Sequence, residues 1–422
     1  MSGISESHDA GMGKAQIRNN MIRFAVAQAF GSANSVIVYA TGAIVGDMLA
    51  PNKALATFPI SVFVVGMAAC TLPTGAIARR WGRQAAFRTG TMAGMTAGLI
   101  SALAVLLGSF WLFSAAMFLG GAYAAAVLSF RFAAADCVPQ EQRARALSIV
   151  MIGGVFAGVL GPQIVTHTMK LLPPYLFLAS YLSQAALAVL CGLILSGIAI
   201  PKLADENTKA GRPLIEIVRQ RKFVAAIICG VISYLLMNFI MTAAPLAMKI
   251  CGLSMESSDL GLQWHVIAMY LPSLITGSLI TRFGAGRIVL AGLALTVCAI
   301  AIGLSGITQT HFWALLIFLG LGWNFAFLGA SSLVLECYRP EERTRVQAFN
   351  DFVVFGFVAV GSFISGGLLE TYGWQTVCWV ALPPLFIAAI SLAATGTFRR
   401  KVHEHLDAMD PLMADAVPSD QR

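Results

Sequence analysis

Hydrophobic residues run through this chain in long unbroken blocks, separated by short polar intervals that carry nearly all of its charge. The blocks cover about residues 24–46, 54–77, 89–107, 111–136, 146–169, 175–200, 223–250, 262–281, 287–308, 312–335, 347–370 and 374–397. Each approaches the roughly 20 apolar residues needed to cross ~30 Å of hydrocarbon. They lack the period-two alternation of barrel strands, so they predict twelve transmembrane helices. Residues 1–22 are polar and the first apolar block is long enough to span, so no cleavable signal peptide is expected.

Composition sharpens this picture. Of 422 residues, 58% are hydrophobic and 11% charged, whereas soluble chains average about 25% charged. That surface cannot be covered with polar atoms in water, and it is far too apolar for a disordered chain. The chain therefore reads as an all-α, polytopic membrane protein. Eight cysteines stand singly, mostly inside apolar blocks and without ligand spacing, which predicts core packing and no metal site.

Positive charge sets the expected orientation. All but four of the 28 Lys and Arg lie in the tails and even-numbered loops; the exceptions are Lys53, Lys170 and Lys249 in odd loops and Arg131 within a span. Both termini are thus expected in the cytoplasm, with the protein in the cell inner (plasma) membrane. The net charge of +8 is a topology signal and an attraction to the lipid bilayer. No basic face interleaved with aromatics lies outside the spans, so no nucleic-acid partner is expected.

The second half repeats the first. Gly75-Ala-Ile-Ala-Arg79-Arg80-Trp81-Gly82-Arg83 follows span 2, and Gly277-Ser-Leu-Ile-Thr-Arg282-Phe283-Gly284 follows span 8 at an offset of 202. Asp136-Cys137-Val-Pro-Gln-Glu141-Gln-Arg143 ends span 4, and Glu336-Cys337-Tyr-Arg-Pro-Glu341-Glu-Arg343 ends span 10 at an offset of 200. Matching loops on one side imply parallel repeats about an axis along the membrane normal. The expected organisation is a tail (1–22), a six-helix bundle (23–200), a cytoplasmic linker (201–222) able to hold a short surface helix, a second six-helix bundle (223–398) and a tail (399–422).

This layout resembles the major facilitator superfamily over residues 23–398. The segment after span 2 is similar to that superfamily's motif A: Gly75, Arg80, Gly82 and Arg83 match, while Arg79 stands where the motif has Asp. Gly75 would let span 2 approach a neighbour closely, and the resemblance places the motif's Asp beside the positive N-terminal end of span 11. With Arg79 reversing that sign, a charge swap is expected, in which Asp351 near the start of span 11 faces Arg79 or Arg83. The plainer alternative is that these arginines only hold topology.

The resemblance also implies that spans 1, 4, 7 and 10 line a central cavity, and polar residues at membrane depth concentrate there. Gln28, Ser32, Ser35 and Tyr39 share one face of span 1. Tyr234 and Asn238 lie one turn apart on span 7, ahead of Pro245, an expected helix break. Span 10 holds Trp323-Asn324, and span 4 holds Tyr123 at the equivalent position with Arg131 below it. The candidate substrate contacts are Gln28, Ser35, Tyr39, Tyr123, Arg131, Tyr234, Asn238, Trp323 and Asn324. Serines could instead bond their own helix, Tyr39 could be an interface aromatic, and Arg131 could snorkel or pair with Asp136.

These residues favour a secondary transporter of a small, flat, mostly uncharged organic solute, working by alternating access. Proton-coupled efflux is the alternative, with Asp47 or His167 as the groups that could carry a coupling proton. The drug–proton antiporter pattern is incomplete, however: Met117 replaces its arginine, and Val165-Thr166 follow Gly161-Pro162 where it has glycines. A transporter-like membrane sensor is a third class. No nucleotide loop, no cofactor motif and no catalytic set is present, so neither an ATP-driven pump nor an enzyme is expected. A monomer is expected. The chain is also similar overall to bacterial vitamin importers of the superfamily, riboflavin transporters among them.

Overall fold

The structure is a computed structural model and describes residues 13–52, 55, 58–199 and 211–396. Its helices are α1 (Lys14–Leu49), α2 (Phe58–Trp81), α3 (Arg83–Leu107), α4 (Phe110–Leu128), α5 (Phe130–Ala135), α6 (Arg143–Thr168) and α7 (Leu178–Ser196). After the linker come α8 (Leu214–Val218), α9 (Arg221–Ile250), α10 (Met255–Tyr270), α11 (Ser273–Phe283), α12 (Ala285–Ser305), α13 (Gln309–Leu335) and α14 (Arg343–Ala393). Eleven segments of the described residues are long and apolar enough to cross a bilayer. The first arm of α14, ahead of Gly373, occupies the place of the expected eleventh span; Gly373, at φ 78°, turns the chain into the twelfth.

The breaks between helices have local causes. The fourth span divides at Ser129, whose Oγ donates to Ala126 O (2.6 Å) and draws that carbonyl to a side chain. The eighth divides at Leu271–Pro272, since proline has no N–H to continue the ladder. Pro245 was expected to break span 7 as well, but α9 continues through it to Ile250. Packed neighbours accommodate a proline within a membrane helix without ending it. Helix α1 begins at Lys14, ahead of the first apolar block, and Asn20 Nδ2 donates to Ala199 O (2.6 Å) beyond the end of α7. The C-terminal tail lies outside the described residues, and the linker is described from Gly211 onward.

Helices α1–α7 pack among themselves, as do α9–α14. The two groups meet where α2 lies on the first arm of α14 and where α6 lies on α10, α11 and α13. Small residues make this seam. A Cβ added to Gly75 of α2 would stand 2.3 Å from Ala348 Cβ on α14, and one added to Gly277 of α11 would stand 2.8 Å from Arg145 Cα and Ser148 Oγ on α6. Ala348 and Ser148 are themselves 200 residues apart, so the repeat read in the sequence is also a repeat of contacts. Without a hydrophobic force between helices in lipid, such close backbone approach is what holds the two groups together. The turns that follow, at Gly82 (φ 85°) and Gly284 (φ 87°), take the left-handed conformation that glycine alone adopts freely.

Candidate functional site

A cavity of about 120 Å³ opens between the two groups of helices. One wall is α1, whose Gln28, Ser32, Ser35 and Tyr39 present one polar edge to it, with Gln28 Nε2 donating to Ser32 Oγ (2.8 Å). The facing wall is aromatic. Trp323 of α13 lies edge-on to Tyr234 of α9 (centroids 5.5 Å apart) and to Tyr270 of α10 (5.7 Å), and stacks on Phe327 (5.2 Å, 16° between planes). Asn238, one turn beyond Tyr234, adds an amide. The indole Nε1–H of Trp323 has no hydrogen-bond partner among the described residues. Met67, Met151, Met237, Met241 and Met269 also line it, a set of polarizable side chains that adapt to a ring face. No charged side chain is among the lining residues.

Six of the nine predicted contacts therefore line one cavity: Gln28, Ser35, Tyr39, Tyr234, Asn238 and Trp323. Three do not. Tyr123 is fully buried inside the first group of helices, its ring filling the space left by Gly94 of α3. Asn324 is fully buried on the far side of Trp323, where its Nδ2 donates to Met269 O (2.6 Å) and Ser273 Oγ (2.7 Å) and its Oδ1 accepts from Thr276 Oγ1 (2.7 Å). Successive helical residues point about 100° apart, so the neighbour of a cavity residue faces another helix. Arg131 sits behind the cavity wall: Nη2 donates to Asp351 Oδ1 (2.6 Å), Nη1 donates to Leu128 O (2.6 Å), and the guanidinium rests over Phe132 and Phe327. Sequence reasoning missed Tyr270, Phe327 and the methionines. Tyr270 stands on span 8, which the expected assignment left out, and methionines carried no polar signal.

The expected charge swap takes a different form. Asp351 faces neither Arg79 nor Arg83 as an ion-pair partner; it pairs with Arg131, and Asn350 Nδ2 also donates to it (3.0 Å). Arg83 pairs instead with Asp136 and donates to Gln347 Oε1 (2.6 Å), while Arg343 reaches Asp136 from the second group at 4.0 Å. Arg79 and Arg80 are exposed, Arg80 lying over the Trp81 ring. The register explains the exchange of partners. Gln347 is one turn nearer the helix start than Asp351, so Arg83 meets the amide while the deeper Arg131 meets the carboxylate. Two buried polar links, Arg131–Asp351 and Arg83–Gln347, thus join the helix groups at the same end of the molecule, with the longer Arg343–Asp136 contact beside them.

The linker is held at that end too. Glu342, buried at the start of α14, accepts from Arg212 N (2.9 Å), Arg212 Nε and Nη2 (2.8 Å each) and Arg339 N (2.9 Å). The Arg212 guanidinium hydrogen-bonded to it pulls the Glu342 carboxyl down from 4.5 to about 2. A depressed carboxylate contributes stability that is complete above its unfolded pKa and fades as pH falls. This contribution is thus expected to be lost between pH 4.5 and about 2. Glu342→Gln should lower stability near neutral pH by ~1.5–3 kcal/mol, the range for hydrogen bonds to a charged group. It should also flatten the acid limb of a melting-temperature profile recorded on the detergent-solubilised protein; an unchanged limb would exclude the clasp as its source.

Comparison with known proteins agrees with this architecture. The family model described as Major Facilitator Superfamily matches residues 23–269 and 226–408. The riboflavin transporter RfnT of Brucella anthropi is 43% identical over 378 residues, which span 89% of this chain and 95% of that protein. Among solved structures, the proton:xylose symporter XylE bound to 6-bromo-6-deoxy-D-glucose superposes with a TM-score of 0.73 at 12% identity, over 90% of this chain and 95% of that one. The E. coli fucose:proton symporter FucP gives 0.71 at 13% identity, over 92% and 99%.

Proposed function

The chain belongs to the major facilitator superfamily, a family of secondary transporters, and we propose that its solute is riboflavin, carried across the inner membrane with both termini in the cytoplasm. The observation that carries this reading is the 43% identity to a riboflavin transporter over nearly the whole of both chains. The cavity supports it on separate physical grounds. A tricyclic isoalloxazine is flat, apolar along its faces and bordered by amide-like groups, and aromatic walls with a few polar groups suit such a ring. In this reading Trp323, Tyr234 and Tyr270 hold the ring faces. Asn238 and the free indole N–H of Trp323 meet its polar edge, and the Gln28–Ser32–Ser35–Tyr39 edge of α1 receives the polyol chain.

Transport then proceeds by rocking the two helix groups about the cavity. The end carrying Arg131–Asp351 and Arg83–Gln347 is the cytoplasmic gate, closed in this arrangement. Solute must be released through it, so those links must separate once per cycle. Directional accumulation follows from differential affinity of solute, or of a coupled ion, for the two arrangements. The carrier acts as a monomer in this reading, since the cavity is built from one chain.

The test is growth of a riboflavin auxotroph expressing the chain on vitamin levels that fail to support the empty-vector strain, with labelled-riboflavin counterflow in proteoliposomes as the direct measure. Rescue together with counterflow is expected. A reconstituted, folded protein that moves no riboflavin would overturn the assignment, and would leave the sensor class standing.

A further inference from the structure

Asn324 carries more polar contacts at membrane depth than its neighbours in α13, and its own side chain does not line the cavity. Its partners all belong to the break in span 8. Pro272 supplies no N–H there, and the backbone ladder shifts from Leu271 N bonding Ile267 O (2.8 Å) to Leu274 N bonding Leu271 O (3.2 Å). Met269 O, freed by that shift, receives Asn324 Nδ2 at 2.6 Å, and Ser273 Oγ receives it at 2.7 Å. Thr276 Oγ1 closes the set, lying 2.8 Å from Pro272 O and 2.7 Å from Asn324 Oδ1. Asn324, Ser273 and Thr276 are all buried. An amide that satisfies a carbonyl at a helix break in hydrocarbon fixes the angle of the break, because every other arrangement leaves polar groups unpaired.

The peptide so gripped is the one between Met269 and Tyr270, and both side chains line the cavity. Tyr270 is also where the two helix groups touch at mid-depth: its ring lies in the space that a Cβ on Gly154 of α6 would take, 2.3 Å from Cδ1. On its own side it meets the edge of Trp323. We infer that Asn324 is a positioning residue for the carrier's solute: by holding the Met269–Tyr270 peptide at the Pro272 break, it sets the Tyr270 ring across the seam as one wall of the binding cavity. This rests on the reading of that cavity as the riboflavin site. It replaces the direct contact expected from the sequence with an indirect one, through a residue that sequence reasoning passed over.

The experiment has two arms. In proteoliposomes, riboflavin transport is measured for Asn324→Ala, Thr276→Val, Tyr270→Ala and the Asn324→Ala/Tyr270→Ala double variant. Asn324→Ala is expected to raise KM about fivefold, the size of one lost aromatic contact, with turnover per reconstituted carrier kept. Thr276→Val, which touches no part of the cavity, should raise KM in the same sense by less. The double variant should bind no worse than Tyr270→Ala alone. Unchanged KM with reduced turnover would make Asn324 a merely structural residue, and additive losses in the double variant would make it an independent contact; either overturns the inference.

The second arm needs no solute. A Gly154→Cys/Tyr270→Cys pair is oxidised in the membrane and the linked peptide quantified by mass spectrometry, with and without Asn324→Ala. The inference requires at least a threefold slower linkage when Asn324 is absent; an equal rate sinks it. If the wild type carried no riboflavin yet the linkage slowed, the substrate reading would fail while the positioning role stood.

Discussion

Trp323→Ala is expected to lower riboflavin affinity by about 100-fold while leaving the amount of protein in the membrane unchanged. Trp323 is 2% exposed, yet it lines the cavity and touches three other aromatic rings. Truncating a buried aromatic anchor of a binding surface costs about 2–4 kcal/mol of binding, and ~3 kcal/mol raises the dissociation constant about 100-fold. The fold is expected to survive, because α13 packs on α12 through backbone approach, a Cβ on Gly292 standing 2.4 Å from Ala326 N. Trp323→Phe keeps a flat face but loses the indole N–H, and should fall short of wild type by no more than about tenfold, the size of one lost hydrogen bond. Labelled-riboflavin uptake normalised to membrane-inserted protein measures both. Wild-type KM in the alanine variant would place the solute elsewhere.

The second large effect concerns the gate. Arg131→Met or Asp351→Leu alone leaves the other charge buried without its partner, a loss of about 3–5 kcal/mol from the arrangement in which the pair exists. Since the pair joins the two helix groups, that loss falls on the closed gate, and ~3 kcal/mol shifts the balance toward an opened gate about 100-fold. Each single variant should therefore lose most concentrative uptake and expose α2 and α14 near Gly75 and Ala348 to labelling from the gate side. The double variant Arg131→Met/Asp351→Leu replaces a charge pair with apolar volume, which is often neutral for stability, so it should recover closure relative to either single. A double-mutant cycle on Asp351 with Arg79 should show no coupling, because Arg79 is exposed. Additive losses for Arg131 and Asp351 would show that the 2.6 Å contact contributes nothing to closure.

What was legible in the sequence was whatever the bilayer imposes residue by residue. Span lengths, the paired glycine turns at Gly82 and Gly284, and the polar edge of α1 each leave a local signature, since hydrocarbon demands an apolar run and a helix repeats its faces every three to four residues. The edge holding Gln28, Ser35 and Tyr39 could be read from its spacing and does line the cavity. Arg131 and Asp351 were each picked out as charges needing a partner, but they stand 220 residues apart, and nothing along the chain says which buried charge meets which. The same holds for Pro245 and Pro272, two prolines in apolar runs, of which only the second interrupts its helix.

By itself the amino-acid order determined a membrane protein of duplicated design, its helices, its family and a weakly charged, aromatic centre. Only the tertiary arrangement decided that Trp323 faces the cavity while Asn324 hydrogen-bonds across a broken helix, and that Arg131 pairs with Asp351 across the seam. The reason is physical: solvation by lipid acts on each residue where it stands, whereas the rotation of a helix and the partner of a buried polar group are set by neighbours brought close from distant stretches of chain.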